Sequence, residues 1–283
     1  MIARQISLLS LEAATIGDVA AMIRNLAIVF ILVFAPAAFA DVAPSASSGA
    51  WQGLRATYYG NREIGEVDEK LMSLAAPAST PDPSATPVTI RFGARAAGKV
   101  KQVRLIIDHN PSPVAATMQL EQGVPIDEIE LRIRVDRATS VRAIAELDDG
   151  TLEMRSAWVN ASGGCSSPPS AAAGALGDIR FRPGADGKAL QVSLRHPNNS
   201  GFQIDPLSGD AIPPHYVLHM RLRSGGQTLF DAETGISLAE NPTVRIASAQ
   251  DLKAPLTLEA VDSKNERYEA TWNGAPVAKS GGR

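Results

Sequence analysis

The sequence predicts an all-β protein: two β-sandwich domains joined by a flexible Gly/Ser/Pro linker, with a short helical segment near the N-terminus. Three observations predict it. Period-2 alternation and β-branched enrichment recur in six short runs between Pro87 and Val159. The same rhythm returns in six runs between Ala189 and Trp272. Between the two series, from Ala161 to Asp178, periodicity gives way to Gly, Ser, Pro and Ala, the composition of a mobile linker. Short strands at near-regular spacing are the pattern of an antiparallel sandwich.

In chain order, "WQGLRATYYGNREI" and "DEKLMSL" predict short helical turns, and "APASTPDPSATP" an irregular connector. The first strand series is "VTIRF", "VKQVRLIID", "ATMQL", "IELRIRVDR", "SVRAIAEL" and "TLEMRSAWV", with Asp148-Asp149-Gly150 as a hairpin turn between the last two. The second is "ALQVSLRH", "HYVLHMRLRS", "QTLFDAE", "PTVRIASA", "PLTLEAVDS" and "RYEATW", with turns at Ser224-Gly225-Gly226 and Asp262 to Glu266. The expected domains are a signal peptide at 1–40, an N-terminal extension with short helices at 41–85 and a sandwich at 86–160. A cysteine-bearing arm and linker follow at 161–178, then a second sandwich at 179–275 and a tail at 276–283.

A chain of 283 residues makes one large domain or two ordinary ones. Hydrophobic content of 45% and charged content of 20% are those of a globular protein, and aromatics at 5% leave the core to Val, Ile, Leu and Ala. The net charge of -3, without a Lys/Arg run, argues against nucleic acid and anionic membrane as partners. "MIRNLAIVFILVFAPAAFADV" has a basic start at Arg24, an apolar run from Leu26 to Phe34, and the small-x-small ending Ala38-Phe39-Ala40. Those are the parts of a secretory signal peptide cleaved before Asp41, with Met22 as an alternative start. The competing reading is a membrane anchor, but the run is short for a span and breaks at Pro36. The mature protein is therefore expected outside the cytoplasm, with no membrane association after cleavage.

Export gives weight to Cys165, the only cysteine. An unpaired thiol in an exported chain implies intermolecular pairing or reactive chemistry. A buried, packing cysteine is the ordinary alternative. Here its neighbours are Gly and Ser, with no apolar side chain within three positions, so an exposed stalk is expected. Gly163 and Gly164 would act as its hinge. Six extended residues beyond Val159 would let the sulfur reach roughly 20 Å. An unperturbed thiol is only a few per cent thiolate at neutral pH. The nearest cations in sequence are Arg155 and Arg180, and neither His nor Asp flanks the sulfur. That describes a carrier thiol activated inside a partner enzyme, not a self-sufficient nucleophile.

In this order the chain resembles the sulfur-oxidation carrier SoxYZ, with its two subunits fused. "VTIRF", "KVKQVRLIIDHNPSPVAATMQL", with its Asn110-Pro111-Ser112-Pro113 motif, and the closing "GGC" are similar to SoxY. "LRHPNNSGFQIDPLSGDAIPPHYVLHMRLRSGGQTLFDAETGISLAENPTVRI" is similar to SoxZ, and the whole likeness covers roughly residues 86–273. The resemblance implies two immunoglobulin-like sandwiches in the periplasm. It implies Cys165 as the attachment site for sulfur intermediates, with Gly163-Gly164 as the hinge of its arm. Sulfur-oxidising or redox enzymes would be the partners and thiosulfate a cargo. The chain most resembles the fused carriers associated with quinoprotein dehydrogenases. In SoxY the cysteine lies almost at a free C-terminus. Here Ser166-Ser167-Pro168-Pro169 follow, and the second half tethers the arm again.

Other candidates are fewer. His215 and His219 would share one face of a strand, but with no third ligand evident neither metal nor cofactor is expected. His196 reads as structural at a strand end, and His109-Asn110-Pro111 as a loop entry. Asn160-Ala161-Ser162 and Asn198-Asn199-Ser200 fit the glycosylation pattern. Three functions follow: a carrier without turnover of its own, an interaction module docking a periplasmic dehydrogenase or cytochrome c, and an independent thiol enzyme. The last is the weakest, because no local base is visible.

Overall fold

The computed structural model describes residues 49–66, 69–94, 96, 99–121, 124, 126–170 and 174–274. The signal peptide expected at 1–40 and the tail at 276–283 lie outside the described residues. Among the described residues one helix, α1 (Gly49–Tyr59), precedes fifteen strands. The first half holds β1 (Ile64–Glu66), β2 (Met72–Ala75), β3 (Thr86–Phe92), β4 (Val100–Ile107), β5 (Val114–Gln119), β6 (Ile126–Ile133), β7 (Arg137–Leu147) and β8 (Leu152–Ser162). The second holds β9 (Ile179–Pro183), β10 (Ala189–Leu194), β11 (Val217–Ser224), β12 (Gln227–Thr234), β13 (Thr243–Ser248), β14 (Leu256–Asp262) and β15 (Arg267–Trp272).

The all-β expectation holds, and the expected strands are present. "DEKLMSL" is corrected. Its Met72–Ala75 portion is strand β2, paired antiparallel with β3 from Met72↔Phe92 to Ala75↔Thr89. Pairing to a neighbour outweighs a weak local helical pattern in so short a segment. The short strands β1 and β9 were not anticipated, and β1 begins at Ile64, the end of the run expected to be helical.

The halves are joined by more than a linker. One sheet runs β1-β8-β7-β4-β5-β12-β11-β14-β15 and the other β2-β3-β6-β13-β10-β9. The seam is crossed by two antiparallel pairs, β5–β12 (Ala116↔Thr234 to Gln119↔Asp231) and β6–β13 (Leu131↔Val244 to Ile126↔Ser248). Each sheet therefore continues from one half into the other, and one apolar core holds Val103, Ile129 and Val141 with Val192, Leu222 and Leu258. Strict alternation explains why these residues form strands: β14 buries Leu256, Leu258, Ala260 and Asp262 and turns the intervening side chains outward.

Strand β7 breaks the alternation, with seven consecutive residues from Thr139 to Ala145 buried. The reason is α1, whose Trp51 and Tyr59 cover Ile106, Ile144 and Leu152 on the face of the sheet away from the main core. Arg142 is sealed beneath the helix. Its Nε and Nη2 donate to Asp108 Oδ1 and Oδ2 at 2.8 Å each, and its guanidinium lies 4.5 Å from the Trp51 ring centroid. A bidentate pair stacked on an indole leaves few lone pairs or protons of this buried charge unmatched.

Candidate functional site at the seam

The cysteine segment begins where β8 ends and packs against the β6–β7 connection. Gly163 N donates to Asp136 O (2.6 Å) and Gly164 N to Val135 O (3.0 Å). Gly163 has φ +78°, which favours glycine. At Gly164 the constraint is space: a Cβ there would lie 2.2 Å from Pro83 O and 2.5 Å from Val135 O. The hinge expected at these glycines is thus, in this conformation, a close backbone docking.

Cys165 is 1% exposed, which corrects the expectation of an exposed stalk. Its immediate neighbours in sequence are small and polar, so the burial comes from distant elements. Ser200 Oγ donates to Cys165 O at 2.5 Å, and Gln203 Nε2 to Ser167 O at 2.9 Å. Ser170 donates from N and Oγ to the Glu240 carboxylate at 2.8 and 2.6 Å. Serines fold the segment on itself, with Ser166 and Ser167 hydroxyls both donating to Gly163 O. The first half holds the glycines, and the second half holds Cys165 onward.

Arg134 bridges the two. It is 1% exposed and donates from Nη1 to Gly164 O (3.2 Å) and from Nη2 to Asn198 O (3.3 Å), while its Nε has no partner among the described residues. Burial lowers its pKa, opposed by the influence of Cys165 and Glu240. Asn110 sets this backbone in place, donating to Arg134 O (2.7 Å) and accepting from Asp136 N (2.9 Å). The Asn-Pro-Ser-Pro motif therefore supports the cysteine seat, a role the sequence did not reveal. Burial, reinforced by Asp136 and only partly offset by Arg134, pushes the Cys165 thiol up to about 12. Seated, the sulfur is a neutral thiol with little nucleophilic character. Arg155 and Arg180, its nearest cations in sequence, have other partners, Glu69 and Asp178.

The histidines sort differently from the expectation. His215 lies ahead of β11 and joins His196 and Asp262, whereas His219 pairs with Asp231. His196 Nε2 and His215 Nε2 lie 3.3 and 2.7 Å from Asp262 Oδ2, and Tyr268 OH donates to the same oxygen at 2.8 Å. Oδ1 accepts from Lys264 N and Glu266 N. Three ligand atoms so close together could hold a metal ion. However, Asn198 N donates to His196 Nδ1 at 3.0 Å, which leaves the proton on Nε2, the atom a metal would need. The donor set fits a closed hydrogen-bond network instead. Asn198 itself is fully buried, so its glycosylation pattern is not available as an acceptor.

This network makes stability depend on acid. Burial depresses His196 to about 4, with the Asp262 hydrogen bond offsetting only part of that. Burial alone would raise the Asp262 carboxyl, but donors from His215, Tyr268 and two backbone amides hold it well below the carboxylate range. Both folded values lie below the unfolded ones, so the unfolded chain binds protons first as pH falls. The His196 contribution, on the order of 3 kcal/mol, is complete above pH ~6.5 and lost toward pH ~4. The expected result is a falling Tm over that window, which His196→Gln flattens; scanning calorimetry across pH checks it.

Together these features define a β-sandwich protein of two joined halves with one thiol held at the seam. Two family models match it in order: sulfur oxidation protein SoxY over residues 55–165 and sulphur oxidation protein SoxZ over residues 182–273. The chain belongs to the SoxYZ family, as a SoxY-like half fused to a SoxZ-like half. Comparison with curated proteins gives no match. Among solved structures, the sulfur carrier protein SoxY from Chlorobium limicola f. thiosulfatophilum is similar at 19% identity, over 40% of this chain and 97% of that one, with TM-score 0.34. A superoxide reductase (neelaredoxin) from Ignicoccus hospitalis is similar at 13% identity, over 32% and 79% of the two chains, with TM-score 0.28. A putative superoxide reductase from Thermotoga maritima is similar at 8% identity, over 35% and 92%, with TM-score 0.30.

Proposed function

We propose that this protein is a periplasmic carrier that bears a sulfur intermediate covalently on Cys165 and has no turnover of its own. The observation that carries this reading is the position of the sole cysteine. It closes the SoxY match, outside any strand, in a segment held by only a few hydrogen bonds from each half. The seated state is the resting state. A partner enzyme draws the segment out, because a neutral thiol under protein cannot attack or be attacked. With thiosulfate as cargo, a sulfur–sulfur bond replaces the thiol S–H bond. One proton and two electrons leave, the electrons going to an electron-accepting partner such as a cytochrome c. A quinoprotein dehydrogenase system is a second source of such partners.

The reading is tested by intact mass after incubation with thiosulfate or sulfide and a periplasmic extract of the native source. The wild-type chain is expected to gain adducts and Cys165→Ser to gain none. Equal adducts on both, or none on either, defeats it. The burial of Cys165 favours one competing reading, an interaction module in which the thiol only fills space. On that reading Cys165→Ala would support partner activity as well as the wild type does.

A further inference from the structure

The outer face of the six-stranded sheet carries a basic groove of about 310 Å³ that the cysteine does not enter. Register builds it. Leu190, Val192 and Leu194 of β10 point into the core, which turns Gln191 and Ser193 outward. Ser193 pairs with Arg180 of β9 on one side and Thr243 of β13 on the other, and Gln191 pairs with Arg182. Antiparallel pairing of Val244 with Leu131 then sets Arg132 of β6 beside Thr243. Two hydroxyls thus lie between guanidinium groups, with Arg195 at the end of β10 completing the lining.

Charge pairing singles this groove out. Elsewhere on the same sheet Arg91 and Arg245 share Glu128, and in the other sheet Arg221 and Arg223 are paired with Asp231 and Glu259. Among the described residues that line the groove the one carboxylate, Asp178, is taken by Arg180 at 2.9 Å. Among the described residues the guanidinium groups of Arg132 and Arg182 have no hydrogen-bond or ion-pair partner. Arginine on an edge strand such as β9 can serve only to block edge-to-edge pairing. That does not account for Arg132, whose strand β6 is interior to the sheet.

We propose that the groove lined by Arg132, Arg180, Arg182 and Arg195 binds a small dianionic tetrahedral oxyanion. Guanidinium forks supply paired N–H donors to such oxygens and the Ser193 hydroxyl a single one, whereas Thr243 Oγ1 already donates to Asn241 O at 2.9 Å. Sulfate, phosphate and thiosulfate share this chemistry. The inference does not depend on the carrier reading, since Cys165 takes no part in it.

Calorimetric titration of the full chain in low-salt chloride buffer with each of the three anions tests it. Saturable binding is expected for at least one, weakened tenfold or more in Arg132→Gln/Arg182→Gln and unchanged in Arg267→Gln, an exposed arginine elsewhere. A preference for thiosulfate or sulfate over phosphate would identify sulfur oxyanions as the source; the reverse would identify phosphate. No saturable binding, binding that the double variant retains, or binding only of an oligoglutamate peptide run in parallel would overturn the proposal. Circular dichroism of the double variant confirms that the comparison is between folded proteins.

Discussion

In the native protein at pH 8, Cys165 alkylates roughly two thousandfold more slowly than in the chemically unfolded chain. The factor follows from the thiol itself. A group pushed up to about 12 by burial is about 0.01% thiolate at pH 8. An exposed thiol near its ordinary value of about 8.5 is roughly a quarter thiolate there. Lost access of the reagent to a sulfur in a residue 1% exposed adds to the difference. Ser200→Ala and Gln203→Ala, which remove the donors to Cys165 O and Ser167 O, should each recover part of the rate. An exposed, swinging stalk predicts no such suppression. Timed iodoacetamide labelling with mass detection separates the two.

Gly164→Ala has the second large effect. A methyl group at this position would sit 2.2 Å from the Pro83 carbonyl oxygen, a backbone atom that cannot swing aside. The seat must open or the β6–β7 connection must move, at about 1–3 kcal/mol or more for overpacking. The expected outcome is a folded protein with a lower Tm and Cys165 labelling raised at least a hundredfold. Gly53→Ala in α1 is the control, since nothing lies within 4 Å of its added Cβ. It should leave the labelling rate unchanged and raise Tm slightly, as expected for Ala over Gly in a helix. If Gly164→Ala labels as slowly as the wild type, the close approach does not hold the thiol down.

Strands were legible wherever one face is buried and the other is wet, because alternation records that asymmetry locally. β13 and β14 are clear cases, with burial switching at every residue. The seam was not legible. Nothing in "ATMQL" or "QTLFDAE" says that β5 will pair with β12, since the backbone hydrogen bonds that join two strands leave no pattern in either one. β2 was misassigned because four residues are too few to establish a period. His215 was expected to share one strand face with His219, yet β11 begins only at Val217. His215 instead pairs with Asn199 in an isolated bridge, and this places its ring against His196 and Asp262.

The cysteine shows the same division most sharply. Its uniqueness and its Gly-Gly approach were plain in the sequence. Its burial was not, because Pro83, Arg134 and the Ser200–Gln203 turn come from three distant parts of the chain. The double tether noticed in the sequence also gained a meaning. The limb beyond Cys165 is gripped by the SoxZ-like half through Gln203 and Glu240, so both halves must let go before the sulfur can leave.

The most direct test is peptide-level mass mapping of the protein isolated from its native compartment, with free thiols alkylated before and after unfolding. The account predicts two forms of the Cys165 peptide. One carries a sulfur adduct removable by reductant, and the other is a free thiol labelled only after unfolding. A Cys165 peptide that is never modified, or a thiol fully labelled in the native protein, would contradict it.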